Sequence, residues 1–315
     1  MKFKKPKFWD QKKPGLLSNF LLPFTFPLKL NNLIIEKYKK VKFNKIKSIC
    51  IGNIYIGGTG KTPLAIKLFN IINKFNNKTI IAKKFYSSHH DEILLLKKYS
   101  RSILGQNRIQ LIKKAIKKSY KIIIFDDGLQ EKQIDYDLKF VCFDSSKWIG
   151  NGRLLPSGPL RQDIKILKKI DAIFLKNLKK NKNKKITKFI KSINPTPNIF
   201  NYSVKIINKK EFNLKKTYFA VSGIGNPDSF NNLLKLNNFK IIKSITFPDH
   251  HKYKEHELKN LIENAKKYKS LIITTEKDYV RIPKKFSNFF KYLKIDIEIE
   301  NQNKLIEYLK YKLNE

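Results

Sequence analysis

Cysteine occurs only twice in the 315 residues, at Cys50 and Cys142. Two thiols cannot staple a secreted scaffold or fill a Cys-rich zinc site, and the scarcity fits a reducing compartment. Arginine is rare for so basic a chain: only Arg101, Arg108, Arg153, Arg161 and Arg281 stand among 67 basic residues. Specific readers of nucleic acid lean on arginine forks for base edges. No zinc-finger, RNP or basic-zipper pattern occurs either, so no nucleic-acid partner is expected. Glycine and proline number twelve each, which excludes collagen-like and low-complexity classes. An unbroken apolar run of roughly 20 residues, the length of a spanning helix, is also missing. The most apolar stretch near the start, residues 16–35, is interrupted by Pro23, Pro27 and Lys29. No apolar core followed by small residues marks a secretory signal.

What the chain does have is enough length for about two domains. Its 41% apolar and 29% charged residues describe a folded protein rather than a disordered one. The net charge of +42 would attract nucleic acid, anionic lipid or a phosphorylated substrate. Abundant lysine, asparagine and isoleucine also look like codon bias toward AT-rich DNA, so the charge is discounted in part. At the N-terminus Phe3, Phe8 and Trp9 are interleaved with Lys2, Lys4, Lys5, Lys7, Lys12 and Lys13, and Leu16, Leu17, Phe20, Leu21 and Leu22 follow. That mixture suits an interface with anionic headgroups. It equally suits a helix packed on the core with a solvated basic end.

From Lys47 the pattern alternates between short apolar runs and helical periodicity. KSICIGNI, KTIIA, KIIIF, LKFVCF and DAIFL read as strands. KTPLAIKLFNIINKF, DEILLLKKY and NRIQLIKKAIKK read as helices. Such alternation implies a mostly parallel sheet flanked by helices, with ligands at the carboxyl ends of the strands. KNLKKNKNKK reads as a solvated turn, and NPTPN marks a break. A strand at residues 199–207 and a second alternating set follow: TYFAVS, PDSFNNLLKL, IIKSITF, ELKNLIENAKKY, SLIITT, YLKIDIEI and a last helix NKLIEYLKYKL. The expected architecture is therefore α/β: a first domain over residues 1–205, P-loop NTPase-like because its first strand leads into GGTGKT, and a smaller α/β domain over residues 206–315. The last helix could pack back on the first domain.

GGTGKT, residues 57–62, lies between a strand and a helix, the setting a phosphate-binding loop needs. Gly57, Gly58, Thr59 and Gly60 would turn backbone N–H groups toward phosphate oxygens. Lys61 would reach the outer phosphates, and the Thr62 hydroxyl would ligate Mg²⁺. The usual first glycine is replaced by Tyr55. The inward glycine pair follows the deviant loops of some ATPases, although Ile56 stands where those carry a lysine. Asp126 and Asp127 end the strand KIIIF, where acids can hold the same metal directly or through water.

Other groups leave more than one reading open. HHDE, residues 89–92, opens a helix: Asp91 could accept a proton from an alcohol and Glu92 could assist a metal, or the string is an N-cap acid with surface histidines. DHH, residues 249–251, brings His250 and His251, with His256 nearby, and the two clusters could meet across a cleft between domains. Zinc is a further reading, though neither cluster has HExxH spacing. GNGRLLPSGPLR, residues 150–161, retains two arginines, which suggests bidentate work on phosphate or carboxylate, or else a loop that holds its own shape. SGIGNP, residues 222–227, reads as a structural strand–turn–helix, and TTEKD, residues 274–278, faces a cleft or caps one.

In order along the chain, GNIYIGGTGKTP, DDGLQ, GNGRLLPSGPLR, SGIGNPDSF, FPDHH and TTEKD resemble the tetraacyldisaccharide 4′-kinases, the lipid A pathway kinases of Gram-negative bacteria. The N-terminal FWDQKKPGLLSNFLLP is similar as well. The resemblance implies a peripheral enzyme on the cytoplasmic face of the inner membrane. It would transfer the ATP γ-phosphate to the 4′-hydroxyl of an acylated disaccharide 1-phosphate, giving lipid IVA, with no obligate protein partner. It also implies catalytic roles for Asp91, His250 and Lys61, phosphate binding by residues 57–62, and Mg²⁺ near Thr62, Glu92, Asp126 and Asp127. Where the family has an SRGYG-like string this chain has AKKFYSS, so Lys83 stands for the arginine and Phe85 for the tyrosine. His90 replaces the glycine before Asp91. The expected mechanism pairs Asp91 with His250 across an interdomain gap that closes on substrate. The rival reading is a membrane-associated P-loop ATPase switch without a small acceptor.

Overall fold

The computed structural model describes residues 5–37, 39–131, 133–177 and 183–314. Lys2, Phe3 and Lys4 of the basic, aromatic N-terminus lie outside the described residues, as do residues 178–182 of the expected solvated turn. Chain contacts divide the molecule into two compact units. The larger contains residues 5–85, 99–203 and 297–314. The smaller contains Tyr86–Lys98 and Val204–Asp296. The units are thus discontinuous where two consecutive ranges were expected. The short stretch that carries Asp91 belongs with the second half of the chain, and the last helix belongs with the first.

The larger unit opens with the short helix α1 (Leu16–Phe20) and α2 (Phe26–Lys37). Then come β1 (Lys47–Gly52), α3 (Lys61–Ile72) and β2 (Thr79–Lys84). Helix α4 (His90–Tyr99) leads out of the smaller unit. It is followed by β3 (Ser102–Gly105), α5 (Arg108–Lys117), β4 (Ile122–Asp126), β5 (Leu138–Asp144), β6 (Ala172–Lys176), α6 (Asn183–Ile193) and β7 (Asn198–Ile206). The smaller unit continues with β8 (Thr217–Ser222), α7 (Pro227–Leu236), β9 (Lys240–Thr246), α8 (Glu255–Lys267), β10 (Leu271–Thr275), the short helices α9 (Glu276–Tyr279) and α10 (Lys284–Ser287), and β11 (Phe290–Leu293). β12 (Ile295–Ile299) and α11 (Gln302–Leu313) return to the larger unit, where α11 contacts α3.

Among the described residues the strands form two sheets. One has eight strands in the order β12-β7-β6-β5-β1-β4-β2-β3, and the other four in the order β11-β10-β8-β9. Between β7 and β3 the neighbours run parallel, as do all pairs of the smaller sheet. The central strands read as apolar runs because both of their faces are covered. Cys50, Phe125 and Ile123 pack with Leu111 and Ile112 of α5 on one side of the sheet. Val141, Phe143, Ile173 and Leu175 pack with Leu167 and Ile190 on the other. In the smaller unit Phe219 and Val221 pack on Leu258, Leu261 and Ile262 of α8, while Tyr218 and Ala220 pack on Phe230 and Leu234 of α7.

Chain order reverses at β1, which is flanked by β4 and β5, and such a switch point is where an open α/β sheet binds ligands. The register sets Ile51 beside Asp126, so the loop leaving β1 starts next to the acids that end β4.

Three local readings need correction. YLKIDIEI is not one strand: it is split at Lys294 into β11 and β12, which join different sheets. Residues 183–185 of the expected turn begin α6. Trp9, grouped with interfacial aromatics on sequence, is only 2% exposed, and its Nε1 donates to the Pro156 carbonyl at 2.9 Å. Leu16 and Phe20 are 88% and 73% exposed, and Leu17, Phe24, Phe26 and Leu33 are exposed with them. Among the described residues no helix is long and apolar enough to cross a membrane.

Candidate active site

Residues 53–60 join β1 to α3 and include two left-handed glycines, Gly57 at φ 115° and Gly60 at φ 89°. Side chains with a Cβ rarely tolerate such angles, which is why the sequence needs glycine at these turns. Lys61 Nζ donates to Asn53 Oδ1 at 3.1 Å and lies 4.0 Å from Asp127. Thr62 Oγ1 donates to Asp126 Oδ2 at 2.8 Å. The other oxygen, Asp126 Oδ1, is buried with no hydrogen-bond partner among the described residues. A hydroxyl touching one carboxylate oxygen, with the second oxygen unsatisfied, fits a hard cation that keeps several waters and phosphate oxygens as its remaining ligands.

Lys83 and Asp126 are opposite one another on β2 and β4. Lys83 Nζ donates to Asp126 Oδ2 at 2.6 Å, with both side chains buried. The departure from the family string at Lys83 therefore falls on an acid of this site and supplies a cation there. Arg161, one of the two retained arginines, donates through Nη1 to Asn53 Oδ1 at 3.0 Å and lies 3.4 Å from Asp127 Oδ1. It approaches the carboxylate through a single nitrogen. Arg153 Nη1 instead reaches Ser18 Oγ at 3.5 Å. Burial would raise the Asp127 carboxyl, but the charges of Lys61, Arg161, Lys83 and Arg108 outweigh it and hold the group below its ordinary 3.8.

In the smaller unit Asp91 is in the first turn of α4 and is 1% exposed. His250, at φ 55° in the loop after β9, points Nδ1 at both Asp91 oxygens, 2.9 and 3.1 Å away. His89 stacks on the His250 ring at 4.2 Å. Two cations complete the group: Arg281 Nε is 3.4 Å from Asp91 Oδ2, and Lys277 Nζ is 3.0 Å from Glu92 Oε1 and 3.9 Å from Asp91 Oδ2. Burial would raise the Asp91 carboxyl, but the His250 hydrogen bond and the charges of Lys277, His250 and Arg281 outweigh it and hold it below 3.8. Lys277 moves the other way. Burial would lower it, yet Glu92, Asp249 and Asp91 keep it above 10.5. The pair expected to assemble across an interdomain gap is thus already made within one unit, because residues 86–98 fold with the second half of the chain.

The structure brings Thr62, Asp126, Asp127 and Lys61 together in one unit, and Asp91, Glu92 and His250 together in the other. His251 is engaged elsewhere, with Nε2 2.8 Å from Glu257. Among the described residues no group of three His, Cys, Asp or Glu side chains could hold a metal ion, so the zinc reading lacks a cluster. Cys142 lies under the loop, and burial pushes its thiol up to about 11. Sequence reasoning missed Asn53, Tyr202, Lys277 and Arg281. Asn53 and Lys277 stand inside quoted strings, whereas nothing local marks Tyr202 and only its rarity among lysines marks Arg281.

The model of the tetraacyldisaccharide-1-P 4′-kinase family matches residues 17–314. The chain belongs to that family. It is accordingly a kinase of lipid A biosynthesis. A tetraacyldisaccharide 4′-kinase of Pelagibacter ubique is 45% identical over 317 residues, covering 100% of this chain and 99% of the relative. That of Rickettsia akari is 32% identical over 320 residues, with 96% and 95% covered. Among solved structures, the "apo" form of LpxK from Aquifex aeolicus in complex with ATP superposes with a TM-score of 0.68 at 21% identity. The match covers 95% of this chain and 100% of that one, and at this identity the likeness establishes the fold.

Proposed function

We propose that this kinase transfers the γ-phosphoryl group of ATP to the 4′-hydroxyl of tetraacyldisaccharide 1-phosphate, giving lipid IVA, as a peripheral enzyme on the cytoplasmic face of the inner membrane. Family membership across the chain, joined to a formed phosphate loop whose Thr62 touches Asp126, carries the reading. The ATP in the complex of the Aquifex relative supports ATP as donor.

Residues 57–60 cradle the phosphates with backbone N–H groups, and Lys61 leaves Asn53 to meet the outer phosphates. Thr62 and Asp126, with Asp127 close by, would hold Mg²⁺, which supplies neutralisation of charge on the phosphate oxygens when bound. Glu92, the metal-side acid the resemblance implies, is held by Lys277, which also lies 3.9 Å from Asp91. Asp91 accepts the proton of the sugar hydroxyl, and His250 aims it. A carboxylate held below its ordinary range is a weak base. That suffices here, because phosphoryl transfer through a loose transition state needs an oriented hydroxyl more than a strong base.

The exposed leucines and phenylalanines of α1 and α2 support contact with the bilayer surface where an acylated acceptor resides. The deciding experiment follows label from [γ-³²P]ATP with and without the acceptor. Label is expected in the lipid fraction only when acceptor is present. ATP hydrolysis at one rate in both samples, with no labelled lipid, would identify the ATPase switch instead.

A further inference from the structure

We propose that Asn53 and Tyr202, neither of which belongs to the GGTGKT motif, are positioning residues that fix the backbone of residues 55–60 in a phosphate-ready shape before nucleotide arrives. The proposal rests on residues 57–62 being the ATP phosphate site.

Three carbonyls of this segment are pinned from below, and all belong to odd-numbered residues. Asn53 Nδ2 donates to the Tyr55 carbonyl at 2.5 Å and reaches the Gly57 carbonyl at 3.4 Å. Tyr202 Oη donates to the Thr59 carbonyl at 3.2 Å. In a planar trans peptide the C=O of one residue and the N–H of the next point in opposite directions. Pinning carbonyls 55, 57 and 59 therefore turns N–H groups 56, 58 and 60 the other way. That of Ile56 is used structurally, donating to the Pro159 carbonyl at 2.9 Å. Those of Gly58 and Gly60 are thereby turned away from the two latches, at the mouth of α3, where backbone N–H groups can gather round an anion.

The two latches are well placed for the task. Both side chains are buried, and burial holds the Tyr202 phenol in its protonated, donating form. Thr59 is drawn inward by its side chain as well, with Oγ1 3.3 Å from Cys142 Sγ. A Cβ at position 60 would stand 3.0 Å from Tyr202 Oη, a tight approach added to the left-handed φ that already favours glycine there. Asn53 works with both halves of its amide. Nδ2 shapes the backbone, while Oδ1 receives Lys61 and Arg161. Donors fixed in advance bind without reorganisation, which is where the affinity would come from.

The test compares Tyr202→Phe, Asn53→Ala and Lys61→Ala in direct binding of ATP with Mg²⁺, in steady-state kinetics and in thermal melting. Tyr202→Phe keeps the ring and removes one hydrogen bond. It is expected to raise both Kd and KM for ATP about two- to tenfold, with acceptor KM unmoved and the melting midpoint lowered by no more than about 3 °C. Asn53→Ala is expected to weaken ATP further. Wild-type ATP affinity in Tyr202→Phe, alongside lost affinity in Lys61→Ala, overturns the positioning role and leaves the phosphate site standing. An equal rise in both KM values with a melting midpoint fallen further than that overturns it too, by reducing Tyr202 to packing. Wild-type ATP binding in Lys61→Ala removes the phosphate site itself.

Discussion

Lys277 Nζ stands 3.4 Å from His250 Nε2, while Nδ1 of the same ring faces Asp91 at 2.9 Å. A carboxylate only accepts, so the Nδ1 contact is made by a ring N–H donated to Asp91. Asp91 is then surrounded entirely by donors: His250 Nδ1, the Glu92 N–H at 2.9 Å and the Arg281 guanidinium. Its free lone pairs are aimed rather than strengthened.

Asp91→Asn keeps the shape of this group and removes the proton acceptor. We expect kcat to fall roughly 10²–10⁴-fold, the range for one acid–base group. ATP affinity, measured by direct binding, should stay within a factor of about two, well under one typical hydrogen bond.

His250→Gln removes the strongest hydrogen bond that lowers the Asp91 carboxyl. The sign follows directly: Asp91 must be ionised to act, and without its donor it ionises at higher pH. The acidic limb of the pH profile of kcat/KM should therefore move upward relative to wild type. A profile that falls in height with an unmoved limb would mean that His250 does not tune Asp91.

Lys83→Met leaves Asp126 buried without its cation. Removal of one partner from a buried ion pair costs about 3–5 kcal/mol, and we expect a loss of that size in urea denaturation. Lys83→Arg restores the charge in the form the family string carries and should recover most of it. Because the ammonium of Lys83 opposes a second cation at Asp126, the methionine variant should in addition require less Mg²⁺ for half-maximal turnover.

Leu16→Glu/Phe20→Glu places charge on two of the most exposed apolar side chains. Neither substitution opens the core, so the melting midpoint should hold while co-sedimentation with anionic vesicles declines. Undiminished pelleting would show that α1 is not the contact.

The sheet with its phosphate loop was legible because each buried strand is a run of apolar residues and each helix carries its period. β3 escaped because SILG is four residues long. α6 escaped because lysine and asparagine dominate its start, although Ile186, Ile190 and Ile193 share one face. The split of YLKIDIEI was invisible because alternation says nothing about which sheet a strand joins; Lys294 N–H, bonded to Asn208 Oδ1, marks the turning point. Asp91 and His250 were readable as chemical types, but 159 positions separate them, and which domain each joined depended on long-range packing. Tyr202 had no local signal at all, since its partner is brought to it only by the fold, and Arg281 had only its rarity among lysines.

Tyr55, which takes the place of the usual first glycine, has its hydroxyl bonded to Asp10 and accepts from Lys5 at 2.7 Å, while Lys147 reaches the same aspartate at 3.2 Å. The extreme N-terminal segment is thereby moored to the threshold of the nucleotide cradle. Trimming the greasy leader to obtain a more tractable protein would cut that mooring along with the oily side chains. Charged substitutions in α1 and α2 would remove the exposed apolar groups and leave the mooring whole.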